Sequence, residues 1–223
     1  MSPPAPSRRL LYVADPLCSW CYGFGPQLAD VLERHPDMAL EVVMGGLRAG
    51  NTEPMSAAFR DMLRGHWRHV ARLTGLAFSE AIFGREGFVY DTEPPCRAVV
   101  TARSLDPRRA FALMKTIQSA FYGEGRDVTD PATLAALAAG CGYDAGSFAA
   151  ALDSPAMRAA TGEDFARARD LGVTGFPTLA YAPAGTFYLV TAGFATGDVI
   201  EERLAEIERR LDPGPLDAVS AGP

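Results

Sequence analysis

Cys18 and Cys21 stand three apart in "DPLCSWCYGFGP" (15–26), with Trp20 between them, in a chain with four cysteines. Two thiols at this spacing can exchange a disulfide, hold a metal, or pack as small apolar groups. A structural zinc needs two further Cys or His ligands. Cys96 and Cys141 are isolated, and His66 and His69, three apart in "GHWRHV", have no carboxylate beside them; no metal site is expected. Packed thiols remain open, because free cysteine is among the most buried residue types. The placement favours redox chemistry over both. The pair follows an apolar run and opens a helix-like stretch, where unpaired N–H groups and the macrodipole stabilise an anion. Thiolates in such motifs have pKa values of roughly 3.5–7.5, against about 8.5 for free cysteine. Cys18, at the helix start, is the expected attacking thiol. Cys21, one turn further in and on the same face, is the expected resolving thiol, and Trp20 belongs to the rim around them.

Other candidates are weaker. "GVTGFPTL" (172–179) places Pro177 just before a strand, where either an ordinary trans proline or a cis bond in a tight turn would fit. Cys96, in "TEPPCR", opens another helix, either as a packed residue or as a third thiol near the pair. Cys141, between two glycines at a helix end, reads as structural, and His35 as a surface residue at a helix C-terminus. "GEGRDVTD" (123–130) lacks the G-K-[ST] of a phosphate loop and reads as a turn, with Asp130 capping a helix that begins at Pro131.

Residues 9–15 read as a buried strand, 19–34 as a helix stopped by Pro36, and 38–47 as a second strand ending at Gly45-Gly46. Together they form a β-α-β unit with a parallel pair. Residues 53–158 read as about five helices punctuated by Gly, Pro and Asp. A helix over 162–171, a strand behind "GVTG", a second strand reached through Ala184-Gly185, and an amphipathic helix over 196–211 complete the chain. The fold class is therefore α/β, β-α-β … α-β-β-α, with a mixed four-stranded sheet and a large all-helical insertion. Residues 9–50 and 160–211 make one domain and 51–159 the insertion, with loose tails at 1–8 and 212–223.

The 223 residues carry a net charge of −6, and Lys115 is the only lysine. An acidic balance argues against nucleic-acid and anionic-membrane partners. There is no apolar run of about 18 residues to span a membrane. Ahead of Asp15 the apolar run covers only residues 10–14, short of the roughly 7–15 of a secretory signal. A cytoplasmic location is expected. In that compartment a close cysteine pair points to redox or metal chemistry more than to a structural disulfide.

With these residues in view, the sequence resembles a known family. Cys18-Ser19-Trp20-Cys21 after one strand and Gly175-Phe176-Pro177-Thr178 before another are hallmarks of the thioredoxin fold. The intervening helical insertion resembles the DsbA family, in its FrnE-like branch, related to 2-hydroxychromene-2-carboxylate isomerases and kappa-class glutathione transferases. "DTEPPCRAVVTAR" (91–103), "AFYGEGRDVTDPATLAALAAGCGYD" (120–144) and "ARDLGVTGFPTL" (168–179) extend the likeness.

The resemblance implies that Cys18 is the nucleophile and Cys21 the resolving thiol. Pro177 would be a cis-proline opposite them, and Phe176 would offer backbone hydrogen bonds to an extended substrate. Phe176 is bulkier than the residue that thioredoxin and DsbA carry there. The isomerases and transferases carry Ser at the nucleophile position and bind glutathione, whereas this chain keeps both thiols. The expectation is a cytosolic dithiol–disulfide oxidoreductase, with a glutathione-dependent isomerase or transferase of small aromatic substrates as the alternative. Its partners would be thiol- or disulfide-bearing proteins or peptides, with glutathione and a second copy of the chain also admitted. No cofactor is implied beyond the Cys18–Cys21 disulfide itself.

Overall fold

The computed structural model describes residues 8–212. Its centre is a four-stranded sheet of order β2-β1-β3-β4. β1 (Arg9–Ala14) pairs in parallel with β2 (Ala39–Met44), Tyr12 opposite Val42, and antiparallel with β3 (Thr178–Tyr181), Tyr12 opposite Leu179. β4 (Tyr188–Ala192) completes the hairpin with β3. The parallel pair needs a crossover, supplied by α1 (Ser19–Arg34). The sheet is mixed, as the sequence pattern implies. The loose tails expected at 1–8 and 212–223 lie outside the described residues except for Arg8 and Asp212. Arg8 is held between Asp37, at 3.0 Å, and Glu208, at 2.8 Å.

Alternation along β1 divides the core. Leu10, Tyr12 and Ala14 face the large core shared with α1, the helices between β2 and β3, and the final helix α8 (Gly197–Leu211). Leu11 and Val13 face the other side with Val43 and Ala168. α8 is tied to the end of α1 through Glu201, which meets Arg34 at 3.0 Å and His35 at 2.8 Å. His35 is thus a bridge between helices rather than a surface residue.

Between β2 and β3 the chain is helical: α2 (Ala57–Thr74), α3 (Glu93–Leu105), α4 (Ala110–Gln118), α5 (Pro131–Gly140), α6 (Ala145–Leu152) and α7 (Pro155–Asp170). Local chemistry sets their ends. The Ser56 hydroxyl accepts from Phe59 N–H, and α2 stops at Gly75 with φ +73°. Asp130 caps α5 through Ala132 and Thr133 N–H, with Pro131 at the first position. α7 begins earlier than the expected 162, because Ser154 caps it and Pro155 opens it. The division expected between 159 and 160 therefore falls inside this helix. Its Gly162 meets nothing within 4 Å and does not interrupt it.

A carboxylate–guanidinium pair closes the β2 edge. Arg103 on α3 donates to both oxygens of Asp164 on α7, at 2.8 and 2.7 Å, and to Val42 O at 2.5 Å. Asp164 also accepts from Met44 N–H at 2.9 Å. Side chains thus take up backbone groups that a neighbouring strand would otherwise use.

Candidate functional site

β1 delivers the chain to the start of α1, and Cys18 is the residue that caps this helix, with extended φ −91° and ψ 114°. Cys18 keeps 7% of its surface exposed and Cys21 none. Cys18 is therefore the more accessible residue of the two. Both cysteines are free thiols. Burial pushes the Cys21 thiol well above the ordinary range, and a hydrogen bond and charge from nearby Cys18 push it further.

The Cys18 Sγ lies 3.5 Å from the carbonyl oxygen of Phe176. The Phe176–Pro177 peptide bond is cis, as the family resemblance implies. Pro177 O accepts from Gly193 N–H at 2.7 Å, which joins this turn to the end of β4. The Phe176 ring turns inward against Gly45, just past β2. Trp20 is half-buried on the rim, 5.5 Å from the His69 ring and 5.8 Å from that of Phe194 between centroids. The structure thus brings Cys18, Cys21, Phe176 and Pro177 together, with Trp20 at the margin.

Behind the dithiol lies a group that sequence reading passed over. Asp15, fully buried at the end of β1, accepts from Leu17 N–H at 2.8 Å and from Leu47 N–H at 2.7 Å. Burial raises its carboxyl above the ordinary 3.8, opposed by these bonds and by the Thr92 and Cys96 side chains. Cys96 donates to Asp15 at 3.5 Å, so this third thiol faces the carboxyl. Burial, then the Asp15 charge, raises the Cys96 thiol too. The signal available in sequence was an acid directly after the apolar run 10–14, three residues before Cys18.

Several tyrosines complete the surroundings. Tyr12 is buried on β1, with its hydroxyl on the side of the Cys21 and Cys18 thiols, and burial raises its pKa well above the ordinary value. Tyr90 donates to Leu17 O at 2.5 Å, fixing the residue before Cys18. Tyr122 stacks on Tyr22 of α1 at 5.0 Å and 15°, and lies 5.1 Å from Trp67 on α2. This aromatic packing seats α1 against the helical layer.

Among the described residues, no three His, Cys, Asp or Glu side chains cluster as a metal site. No helix of the described residues is long and apolar enough to cross a membrane.

Comparison with known proteins shows the family and the fold. Residues 9–204 match the DSBA-like thioredoxin domain. A Nitrosomonas europaea protein provisionally assigned as a protein disulfide isomerase is 31% identical, with TM-score 0.85 over 92% of this chain and 98% of that one. The cytosolic disulfide reductase DsbM of Pseudomonas aeruginosa is 31% identical, with TM-score 0.74 over 92% and 100%. DsbM is also known in a structure with GSH, to which this chain is 32% identical with TM-score 0.72 over 91% and 98%. A 2-hydroxychromene-2-carboxylate isomerase shares the fold at 17% identity, with TM-score 0.64 over 93% and 100%. No match was found among the curated proteins. The chain belongs to the DSBA-like thioredoxin domain family, as an enzyme of its DsbA-type oxidoreductase and isomerase kind.

Proposed function

We propose that the chain is a dithiol–disulfide oxidoreductase in which Cys18 exchanges and Cys21 resolves. The observation that carries this reading is the difference between the two residues: Cys18 stands at the N-cap position of a helix and keeps 7% of its surface exposed, while Cys21 keeps none. In the reducing direction the Cys18 thiolate attacks one sulfur of a substrate disulfide. A new S–S bond forms, and the other substrate sulfur leaves as a thiolate. Cys21 then loses its proton and attacks Cys18 Sγ, releasing the second substrate thiolate and closing the Cys18–Cys21 disulfide. The dithiol has given up two electrons and the substrate disulfide has gained them. The reverse sequence oxidises a substrate dithiol.

The resolving step needs a proton acceptor, because Cys21 is held protonated by burial. Asp15 is the buried carboxyl whose charge Cys21 feels, and its raised proton affinity suits it to take that proton and return it. Phe176 and Pro177 form the substrate's seat, with Trp20 on its rim. The substrates are disulfide- or thiol-bearing peptides and proteins. Glutathione is the proposed small-molecule partner, supported by the GSH-bound structure of DsbM. A cytosolic setting is proposed on the same likeness. No cofactor beyond the dithiol is invoked.

The test is trapping. Cys21→Ser incubated with oxidised glutathione should accumulate a glutathione adduct on Cys18, read by intact-protein and peptide mass spectrometry, whereas the wild type should clear it to the internal disulfide. Full turnover by Cys21→Ser on small substrates would instead favour the glutathione-dependent isomerase or transferase reading.

A further inference from the structure

The Phe176 side chain occupies a space that exists only because residue 45 has no side chain. A Cβ built on Gly45 would fall 2.0 Å from Phe176 Cζ and 2.1 Å from Cε1, inside the 3.0 Å that real contacts respect. The seat is rigid from below. Gly45 N–H continues the β2 ladder to Ala14 O at 2.8 Å, and Leu47 N–H is anchored on Asp15. Next along the chain, Gly46 at φ +67° lies under the Phe165 ring of α7, where a Cβ would fall 2.8 Å from Cδ1. The end of β2 is therefore a fixed glycine floor carrying two rings, and one of them belongs to the residue whose carbonyl faces Cys18.

We propose that Gly45 is a positioning residue for the exchange reaction. By seating the Phe176 ring, it sets where the Phe176 carbonyl stands relative to Cys18 Sγ and where the Phe176–Pro177 turn meets substrate. The proposal rests on the dithiol reading above and extends it to a residue that touches neither sulfur. The bulk at position 176 then has a defined use. The ring is a peg driven into the sheet, and the backbone of residue 176 is the part presented to the site. A side chain at 45 would require the end of the ring to move by about 1 Å or more, from 2.0 Å to beyond 3.0 Å; where the ring's seat also fixes the backbone of residue 176, as proposed, the carbonyl moves with it. The bond from Cys18 to that carbonyl exists only for the protonated thiol, since a thiolate or disulfide sulfur has no proton to donate. Losing it destabilises the reduced form in its protonated state and, where that state predominates, moves the dithiol–disulfide equilibrium toward the disulfide.

The experiment compares wild type, Gly45→Ala, Phe176→Ala and the double variant. Two readouts are used: the second-order rate with oxidised glutathione, and the equilibrium of the dithiol in glutathione buffers. Gly65→Ala, on α2 with nothing within 4 Å of the added Cβ, serves as the control for a tolerated glycine substitution. Gly45→Ala should lower the rate about 10- to 100-fold, the scale of an ångström misplacement of a reacting group. It should also shift the equilibrium toward the disulfide about two- to tenfold, the range of one hydrogen bond. Removing the ring frees the space, so the double variant should match Phe176→Ala alone in both readouts. This holds whatever level Phe176→Ala itself shows, and it separates positioning from general destabilisation. Gly45→Ala indistinguishable from wild type would overturn the inference, as would an equal loss in both backgrounds. A wild-type chain that exchanges nothing would bring down the dithiol reading and this inference together. Normal wild-type exchange beside an unaffected Gly45→Ala brings down the inference alone.

Discussion

Cys18 Sγ and the carbonyl oxygen of Phe176 meet at 3.5 Å although 158 positions separate them in the chain. The contact crosses from the start of α1 to the turn before β3, so each half of the site is supplied by a different end of the sequence. Around it the titratable groups are graded by burial, and that grading makes the site testable one group at a time.

The reactivity order of the thiols is the first expectation. Cys21 and Cys96 are fully buried and their thiols are raised by burial, while Cys18 is partly open. Brief iodoacetamide treatment of the reduced native protein near neutral pH should modify Cys18 ahead of both, as read by peptide mass mapping, and modification of Cys18 should end exchange. Equal labelling of Cys96 and Cys18 would contradict the arrangement.

Asp15 predicts a pH dependence. Its carboxyl is raised above 3.8 by burial, so it holds its proton more tightly when folded. The stability it contributes is fully present below about pH 4 and is lost as pH rises through its folded value. The loss is about 1.4 kcal/mol for every pH unit that separates the folded from the unfolded value. Asp15→Asn removes this slope. Its amide can accept only one of the two backbone N–H bonds, which adds a pH-independent loss of about 1–3 kcal/mol. Urea unfolding of both proteins from pH 4 to 8 should show the wild type losing ground relative to the variant as pH rises; parallel curves would remove Asp15 as the raised acid. Resolution of a Cys18 adduct should also slow in Asp15→Asn.

Tyr90 holds Leu17 O at the entry to α1. Tyr90→Phe keeps the ring and loses the bond, so stability should fall by about 1 kcal/mol in chemical denaturation. The rate of Cys18 with oxidised glutathione should fall as well, because the helix start is less firmly placed. An unchanged stability would mean that water replaces the hydroxyl at no cost.

Sequence reading reached what local pattern encodes. Apolar runs and turn residues located the four strands, Pro36 the end of a helix, Asp130-Pro131 the start of another, and the Cys-Ser-Trp-Cys spacing the pair proposed as the centre of the site. What it missed depends on distance in the chain. Asp15 looked like the last residue of a strand, yet it is bonded to Cys96 across 81 positions. Tyr90 meets Leu17 across 73, and the role of Gly45 appears only when the Phe176 ring lies on it. The early start of α7 was hidden for a local reason: Asp153-Ser154-Pro155 serves both as the exit of α6 and as the cap of the next helix.

The closed β2 edge gives a prediction for stability. Asp164 is buried, with 6% of its side chain exposed, and Arg103 is its bidentate partner at 25%. Arg103→Ala would leave a buried carboxylate with only Met44 N–H, a loss of about 3–5 kcal/mol. Replacing both residues by apolar side chains should cost less than replacing Arg103 alone. A double-mutant cycle by urea denaturation measures this, and strict additivity would show that the pair does not act together.

Placing the helices between β2 and β3 also sets a timetable for the chemistry. Both thiols are synthesised ahead of these helices, and the carbonyl that faces Cys18 follows 158 residues later. At roughly 5–20 residues per second, the growing chain carries its dithiol for about 8 to 30 s before the opposing turn exists. The proposed exchange centre is therefore completed only when β3 pairs with β1. A chain that stops short of β3 would keep both sulfurs and lack the surface that turns them toward a substrate.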